Sequence, residues 1–144
     1  MQVKSFFTER LKEARKRMKI SQKELGIKIE LNEKFCKVFG NGGVFKTPKK
    51  NLYFGNSGTG VRLMMGMLAS RGITATFEGD QSLSKRPMLR VLDPLEKFGV
   101  KFLHNKGKLP ITIEKNELLI PCNVNLKLGS AQVKSAILLA ALNI

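Results

Sequence analysis

The sequence has few of the side chains that usually bind metals or form disulfides. Its 144 residues include two cysteines and one histidine. Cys36 and Cys122 are far apart and in no metal-ligand spacing, which argues against a disulfide framework and a zinc site. We expect both to be buried free thiols, since cysteine is among the most often buried residues. His104 has no neighbouring carboxylate or nucleophile in the sequence, so we interpret it as a surface residue, not a catalytic base.

Acidic residues and long hydrophobic runs are also scarce. The chain has 11 Asp and Glu against 26 Lys and Arg, a net charge of +15. This excess favours an anionic partner, which could be nucleic acid, an acidic membrane or a phosphorylated small molecule. No apolar run reaches the roughly 18 residues of a membrane span, and the first residues lack the pattern of a signal peptide. We therefore expect a cytoplasmic protein without a membrane partner.

The order of predicted elements is typical of an α/β fold. We divide the chain into a helical segment of uncertain origin, residues 1–25, and a domain over residues 26–144. In that domain, helices are predicted at 61–70, 88–98 and 136–142; strands are predicted at 27–31, 35–39, 52–54, 73–78, 100–104, 111–113, 118–120 and 123–127. The first and last helices are apolar on nearly all sides, which predicts burial on all sides.

Three segments have the chemistry to bind an anion. Residues 55–60 (GNSGTG) join a strand to a helix, so the backbone can approach a ligand at a helix N-terminus. In residues 85–87 (KRP), the guanidinium of Arg86 can bind phosphate or carboxylate through paired hydrogen bonds. Residues 130–132 (SAQ) begin the last apolar helix. Each segment also has an ordinary interpretation: a capped turn, a solvated basic loop and a Ser N-cap. Arg62, inside the first apolar helix, needs an anion or an ion-pair partner.

Together these residues resemble a known family. Residues 56–63 (NSGTGVRL) resemble the GNSGT-x-x-R segment of the EPSP synthases (3-phosphoshikimate 1-carboxyvinyltransferases), residues 79–88 resemble their GD-x-SL-x-KRPM segment, and residues 130–136 resemble their SAQVKSA segment. The three segments occur in family order. The resemblance implies an enolpyruvate-transferase-type domain, incomplete in this chain and built of βαβαββ repeats with buried helices and outer sheets.

The resemblance also implies a reaction and a set of ligand contacts. The reaction is carboxyvinyl transfer from phosphoenolpyruvate to the 5-hydroxyl of shikimate 3-phosphate, without a cofactor or metal, in aromatic amino-acid biosynthesis. The phosphoenolpyruvate contacts would be Gly58, Arg86 and Gln132. The shikimate 3-phosphate contacts would be Ser130, Ala131 and Gln132. Three further residues would shape the loop or support it: Asn56, Thr59 and Arg62.

Proton-transfer residues and the family's second domain have no counterpart in this sequence. We therefore expect a fragment that is inactive alone and needs the remainder of the enzyme to complete the site. Two alternatives stay open. Residues 10–25 are similar to the first helices of repressor-type helix-turn-helix domains, although a strand pattern occupies the place where the recognition helix should lie. The chain could also be a non-catalytic binder of phosphorylated ligands. A UDP-N-acetylglucosamine enolpyruvyl transferase fits less well, because the SAQVKS segment favours shikimate.

Overall fold

The described residues of the computed structural model form one βαβαββ unit with an added hairpin and an added helix. The model describes residues 24–31, 35–116, 118–126 and 129–142. The strands are β1 (Lys28–Leu31), β2 (Cys36–Phe39), β3 (Leu52–Tyr53), β4 (Ala75–Glu78), β5 (Phe102–Asn105) and β6 (Lys108–Ile113). The helices are α1 (Gly58–Ala69), α2 (Gln81–Ser84), α3 (Leu89–Lys97) and α4 (Ala131–Ala141). The order β3-α1-β4-α3-β5-β6, with α2 as a short insertion, confirms the predicted α/β class.

The main sheet has four strands in the order β3-β4-β6-β5. The pair β3 and β4 is parallel, because helix α1 crosses over between the two strands. The pairs β4–β6 and β5–β6 are antiparallel. A tight turn at Lys106 and Gly107, both with positive φ, joins β5 to β6, and this is the hairpin that the sequence predicts. Strands β1 and β2 form a separate antiparallel hairpin.

The core lies between one face of the main sheet and helices α1 and α3. Its largest fully buried side chains come from the sheet and from both helices: Leu52, Phe77, Ile111, Ile113, Val61, Met65, Leu68, Leu92 and Leu95. Helix α1 has no exposed residue between positions 61 and 69, as its apolar sequence predicts. The N-terminal end of α1 follows the end of β3 after a four-residue loop, residues 54–57.

Helix α4 differs from its prediction. It is buried only at Val133, Ala136 and Ala140, whereas Leu138 is 67% exposed and Leu142 is 71% exposed. Helices α1 and α3 pack on one side of α4, and nothing else among the described elements covers the opposite side. The prediction of burial on all sides is therefore wrong for this helix, because an apolar sequence does not supply the neighbours that burial requires.

Residues 118–126 are also not as predicted. The strands predicted at 118–120 and 123–127 are wrong for the described residues, which contain no strand there. Ile120 N donates to Phe98 O at 2.9 Å, which ties this segment to the end of α3 instead of to a sheet edge. Cys122 lies on this surface segment and is exposed, so its predicted burial is wrong. The side chain of Cys36 lies outside the described residues.

Most of the helical segment predicted at residues 1–25 also lies outside the described residues, which begin at residue 24. The helix-turn-helix alternative rests largely on that segment. The next element along the chain is strand β1, paired with β2, and not a recognition helix. No helix in the described part of the chain is long and apolar enough to span a membrane.

Candidate anion-binding site

The parallel pair of strands brings two of the three predicted segments together. The carboxyl ends of parallel strands lie at the same edge of a sheet, so the loops after β3 and β4 are neighbours. Phe54 N donates to Glu78 O at 2.8 Å, and Asp80 N donates to Gly55 O at 2.8 Å. Gly55 has φ of +56°, a conformation that favours glycine. These bonds hold the GNSGTG loop against the start of the second segment.

The GNSGTG loop ends in a capped helix. Ser57 is the N-cap of α1, and its Oγ accepts from Gly60 N at 3.2 Å. Gly58 is the first residue of the helix and is buried. A Cβ added at Gly58 would lie 3.1 Å from Nη1 of Arg62 and 3.1 Å from Nη1 of Arg86. Two guanidinium groups therefore converge on a backbone position at a helix N-terminus.

Helix α2 turns the second segment so that Arg86 points back to this loop. Asp80 caps α2, and its Oδ1 accepts from Leu83 N at 2.8 Å. Arg86 Nη2 then donates to Asn56 Oδ1 at 2.7 Å. The side chain of Arg86 remains exposed, so its other N–H groups are accessible to a ligand.

The third segment joins the site through Gln132. Ser130 caps α4, and its Oγ accepts from Val133 N at 3.4 Å. Gln132 Nε2 donates to Thr59 Oγ1 at 2.7 Å, and Gln132 Oε1 accepts from Arg62 Nη1 at 3.0 Å. Ala131 is the exposed first residue of the helix. The three segments predicted from the sequence thus meet at one end of the α1–α4 pair.

Arg62 connects all three segments. Besides its bond to Gln132, Nη1 donates to Gly58 O at 3.2 Å, and Nη2 donates to Pro87 O at 3.4 Å. Its sequence position suggested an ion pair or an anion as partner. The structure instead gives it neutral oxygen acceptors, and no carboxylate forms an ion pair with it among the described residues.

The site has an excess of positive charge. Burial, followed by repulsion from Arg86 and Arg90, lowers the pKa of Arg62 below its usual value. Arginine nevertheless stays protonated near neutral pH, because the guanidinium group is a very weak acid. The N-termini of α1 and α4 lie next to each other in this site, and each adds partial positive charge. Sequence reasoning missed Arg90, which lies in α3 and outside the three predicted segments.

A cavity of about 350 Å³ lies beside this cluster, between α3 and the start of α4. It is lined by Arg90, Asp93, Pro94, Lys97, Val124, Asn125, Leu126, Ser130 and Val133. Of the residues assigned to the site, Ser130 contributes to this lining, while Gly58 and Arg86 do not. The hydrogen-bonded cluster, and not this cavity, is what unites the three segments. Within the described residues, no group of three or more His, Cys, Asp or Glu side chains could hold a metal ion.

These features define an α/β protein with a cationic site built from two helix N-termini and arginine side chains. The family model for EPSP synthase (3-phosphoshikimate 1-carboxyvinyltransferase) matches residues 12–144. The chain therefore belongs to the EPSP synthase family. The match begins inside the segment 1–25, and the division at residues 25 and 26 stays a prediction.

Individual relatives and solved structures agree with this assignment. The 3-phosphoshikimate 1-carboxyvinyltransferase of Paracoccus denitrificans is 48% identical over 126 residues, which cover 85% of this chain and 28% of that protein. The enzyme of the same name from a Ruegeria species is 53% identical over 108 residues, covering 74% of this chain and 24% of that protein. An EPSP synthase structure from Acinetobacter baumannii matches with a TM-score of 0.82 and 38% identity, covering 88% of this chain and 29% of that one. The chain thus spans under a third of each of these proteins.

The charge arrangement predicts that inorganic phosphate stabilises the folded chain. A ligand that binds only the folded state at ten times its dissociation constant adds about 1.4 kcal/mol to the free energy of unfolding. Urea denaturation at increasing phosphate, with sodium chloride holding the ionic strength constant, measures this gain. Phosphate also stabilises proteins non-specifically, so the control is the double variant R62M/R86M. An equal gain in both proteins would contradict a specific anion site.

Proposed function

We propose that this chain supplies substrate-binding groups for carboxyvinyl transfer from phosphoenolpyruvate to the 5-hydroxyl of shikimate 3-phosphate. The products are EPSP and inorganic phosphate, a step of aromatic amino-acid biosynthesis. The observation that carries the proposal is the meeting of Gly58, Arg86 and Gln132 around Arg62, with excess positive charge. Membership of the family supports the choice of reaction.

The proposed contacts are based on the geometry of the site. The family resemblance assigns Gly58 and Arg86 to phosphoenolpyruvate, and the backbone at Gly58 lies beside the guanidinium of Arg86 as such a shared contact requires. Ser130 and Ala131, at the start of α4, hold the phosphate of shikimate 3-phosphate through the hydroxyl and the helix N-terminus. Gln132 lies between the two groups and contacts both substrates. Asn56 orients Arg86, and Thr59 orients Gln132, each through a side-chain hydrogen bond of 2.7 Å.

The chemistry explains why such a site is cationic. The 5-hydroxyl group loses its proton as its oxygen forms a bond to C2 of phosphoenolpyruvate, while the methylene carbon of phosphoenolpyruvate gains a proton and becomes a methyl group. The tetrahedral intermediate then loses a proton from the methyl group and releases phosphate. Both substrates are anionic, so arginines and helix N-termini offset their mutual repulsion. Proton transfer is assigned to residues outside this chain, and the remainder of the enzyme is needed to complete the active site.

The proposal also includes expectations about cofactors, partners and cellular location. We expect the reaction to proceed without a cofactor or metal, as the family resemblance implies. We assign the chain to the cytoplasm, with neither a membrane nor nucleic acid as partner. A chain that binds the substrates but never takes part in turnover is the non-catalytic alternative.

Calorimetric titration and a phosphate-release assay test the proposal. We expect the 144-residue chain to bind shikimate 3-phosphate and phosphoenolpyruvate and to release no phosphate from their mixture. R86Q is expected to weaken phosphoenolpyruvate binding about tenfold or more, as loss of a charge-assisted hydrogen-bonding group costs about 1.5–3 kcal/mol. K101Q, which removes the same charge at an exposed position next to β5, is the control.

Each result has a clear meaning. Absence of binding to the wild-type chain, or equal losses in R86Q and K101Q, would refute the assigned contacts. Phosphate release that requires both substrates would refute the expectation that the chain is inactive alone. Binding of both ligands with restored turnover, after the rest of a family enzyme is added, would support the role in catalysis over the non-catalytic alternative.

A further inference from the structure

We propose that Gly66 is a positioning residue, whose lack of a side chain sets the spacing of α1 and α4 that holds Gln132 between Arg62 and Thr59. The significance of Gln132 for substrates rests on the proposed function. The packing relation itself is independent of that function. Gly66 is buried in the middle of α1, where the chain has no need of a turn.

The two helices approach each other closely at Gly66. A Cβ at this position would lie 2.1 Å from Ala136 O, 2.6 Å from Ala136 C and 2.7 Å from Ala136 Cα. Carbon–oxygen contacts in proteins are normally about 3.3 Å or longer. The obstructing atoms are backbone, so no change of rotamer relieves the overlap. A side chain at 66 would have to push the helices apart by about 1 Å.

Backbone atoms are farther away at two other crowded glycines. The nearest backbone atom to an added Cβ is Gly55 O at 3.0 Å for Gly79, and Leu89 N at 3.3 Å for Gly107. Glycine in a helix interior is less favourable than alanine, so helix propensity does not explain why position 66 is a glycine. Close packing against the backbone of α4 does explain it.

The register of the two helices links this contact to the site. Gly66 is four residues beyond Arg62, and Ala136 is four residues beyond Gln132, so both pairs are separated by about one helical turn. The Gly66–Ala136 contact therefore lies one turn below the Arg62–Gln132 hydrogen bond of 3.0 Å and the Gln132–Thr59 bond of 2.7 Å. Side-chain hydrogen bonds do not survive at about 3.6 Å or beyond. If the two helices moved apart by about 1 Å, both bonds would break unless the side chains rearranged.

The test uses G66A in the full chain, with nuclear magnetic resonance of the Gln132 side-chain amide. We expect the amide to move toward the chemical shift of a free glutamine and to exchange faster with water. The affinity for shikimate 3-phosphate is expected to fall about tenfold, because Gln132 loses its hydrogen bond to the charged side chain of Arg62. I113V, which removes a methylene from the buried sheet core, is the control and should leave the amide resonance unchanged. An unchanged Gln132 amide in folded G66A would overturn the proposal.

A second variant keeps the test decisive if G66A does not fold. Q132N shortens the side chain and should lose the bonds to Arg62 and Thr59, while the nuclear Overhauser contact between Gly66 Hα and Ala136 Hα persists. Loss of that helix contact in Q132N would show that the side-chain bonds hold the helices together, which is the reverse of the proposal. If the wild-type chain fails to bind shikimate 3-phosphate, the proposed function fails, whereas the amide and Overhauser measurements still decide the role of Gly66.

Discussion

Replacing Arg62 with methionine is expected to weaken binding of both proposed substrates by about 10- to 100-fold. Methionine keeps most of the apolar stem but removes the donors to Gly58 O, Pro87 O and Gln132 Oε1. Charge-assisted hydrogen bonds contribute about 1.5–3 kcal/mol each, and each 1.4 kcal/mol is a tenfold change in affinity. Calorimetric titration of the full chain with shikimate 3-phosphate and with phosphoenolpyruvate measures the loss.

Two variants separate the connecting role of Arg62 from its charge. R62K keeps the charge but lacks the planar fork, so it should bind with intermediate affinity. R90Q removes another cation that lies close enough to affect Arg62, without removing any of the three hydrogen bonds. If R62M and R90Q weakened binding equally, positive charge alone would account for the effect, and the connecting role would be refuted.

Replacing Phe77 with alanine is expected to lower the free energy of unfolding by about 3–5 kcal/mol, the usual cost of removing a buried aromatic side chain. Phe77 is fully buried on β4, which lies between β3 and β6. Its ring centroid is 6.0 Å from that of Phe54, at the start of the GNSGTG loop. The substitution should therefore disturb the site as well as the core. Urea denaturation followed by circular dichroism suits this chain, which has no tryptophan.

The matched control for F77A is L103A, which lies on strand β5 of the same sheet. Leu103 lies on the edge strand β5 and is 58% exposed, so its loss should change the stability by no more than about 0.5 kcal/mol. F77L provides a milder core change if F77A is unfolded under all conditions. Similar losses in F77L and L103A would contradict the position of Phe77 at the centre of the core.

Much of the site could be predicted because its parts are local. The caps at Ser57 and Ser130 each depend on a side chain and a backbone N–H three residues later, a relation that is readable from short motifs. The cap at Asp80 and the short helix α2 were not predicted. The hairpin turn at Lys106 and Gly107 is equally local. The strand errors at 118–126 arose because a short apolar run forms a strand only if it pairs with another strand, whereas Ile120 N is bonded to Phe98 O at the end of α3.

The functions assigned to individual residues in binding were predicted from resemblance and stay predictions. Sequence reasoning missed the hydrogen bonds that connect these residues to one another. Arg62 and Gln132 are 70 residues apart, and no local rule relates their side chains. Arg90 was also missed, because its importance lies in the distance to Arg62 and not in a motif of its own.

The amino-acid sequence by itself determined the family, the α/β class and the three helix entrances that can receive an anion, while the βαβαββ order was implied by the family resemblance. These features depend on the short-range preferences of backbone and caps, and on motif spacing. Only the tertiary structure decided that the entrances meet, that Arg62 connects them, and that α4 is covered on one side while Leu138 and Leu142 are exposed. The physical reason is that contacts between distant segments depend on helix spacing and sheet order, which arise only when the whole core packs.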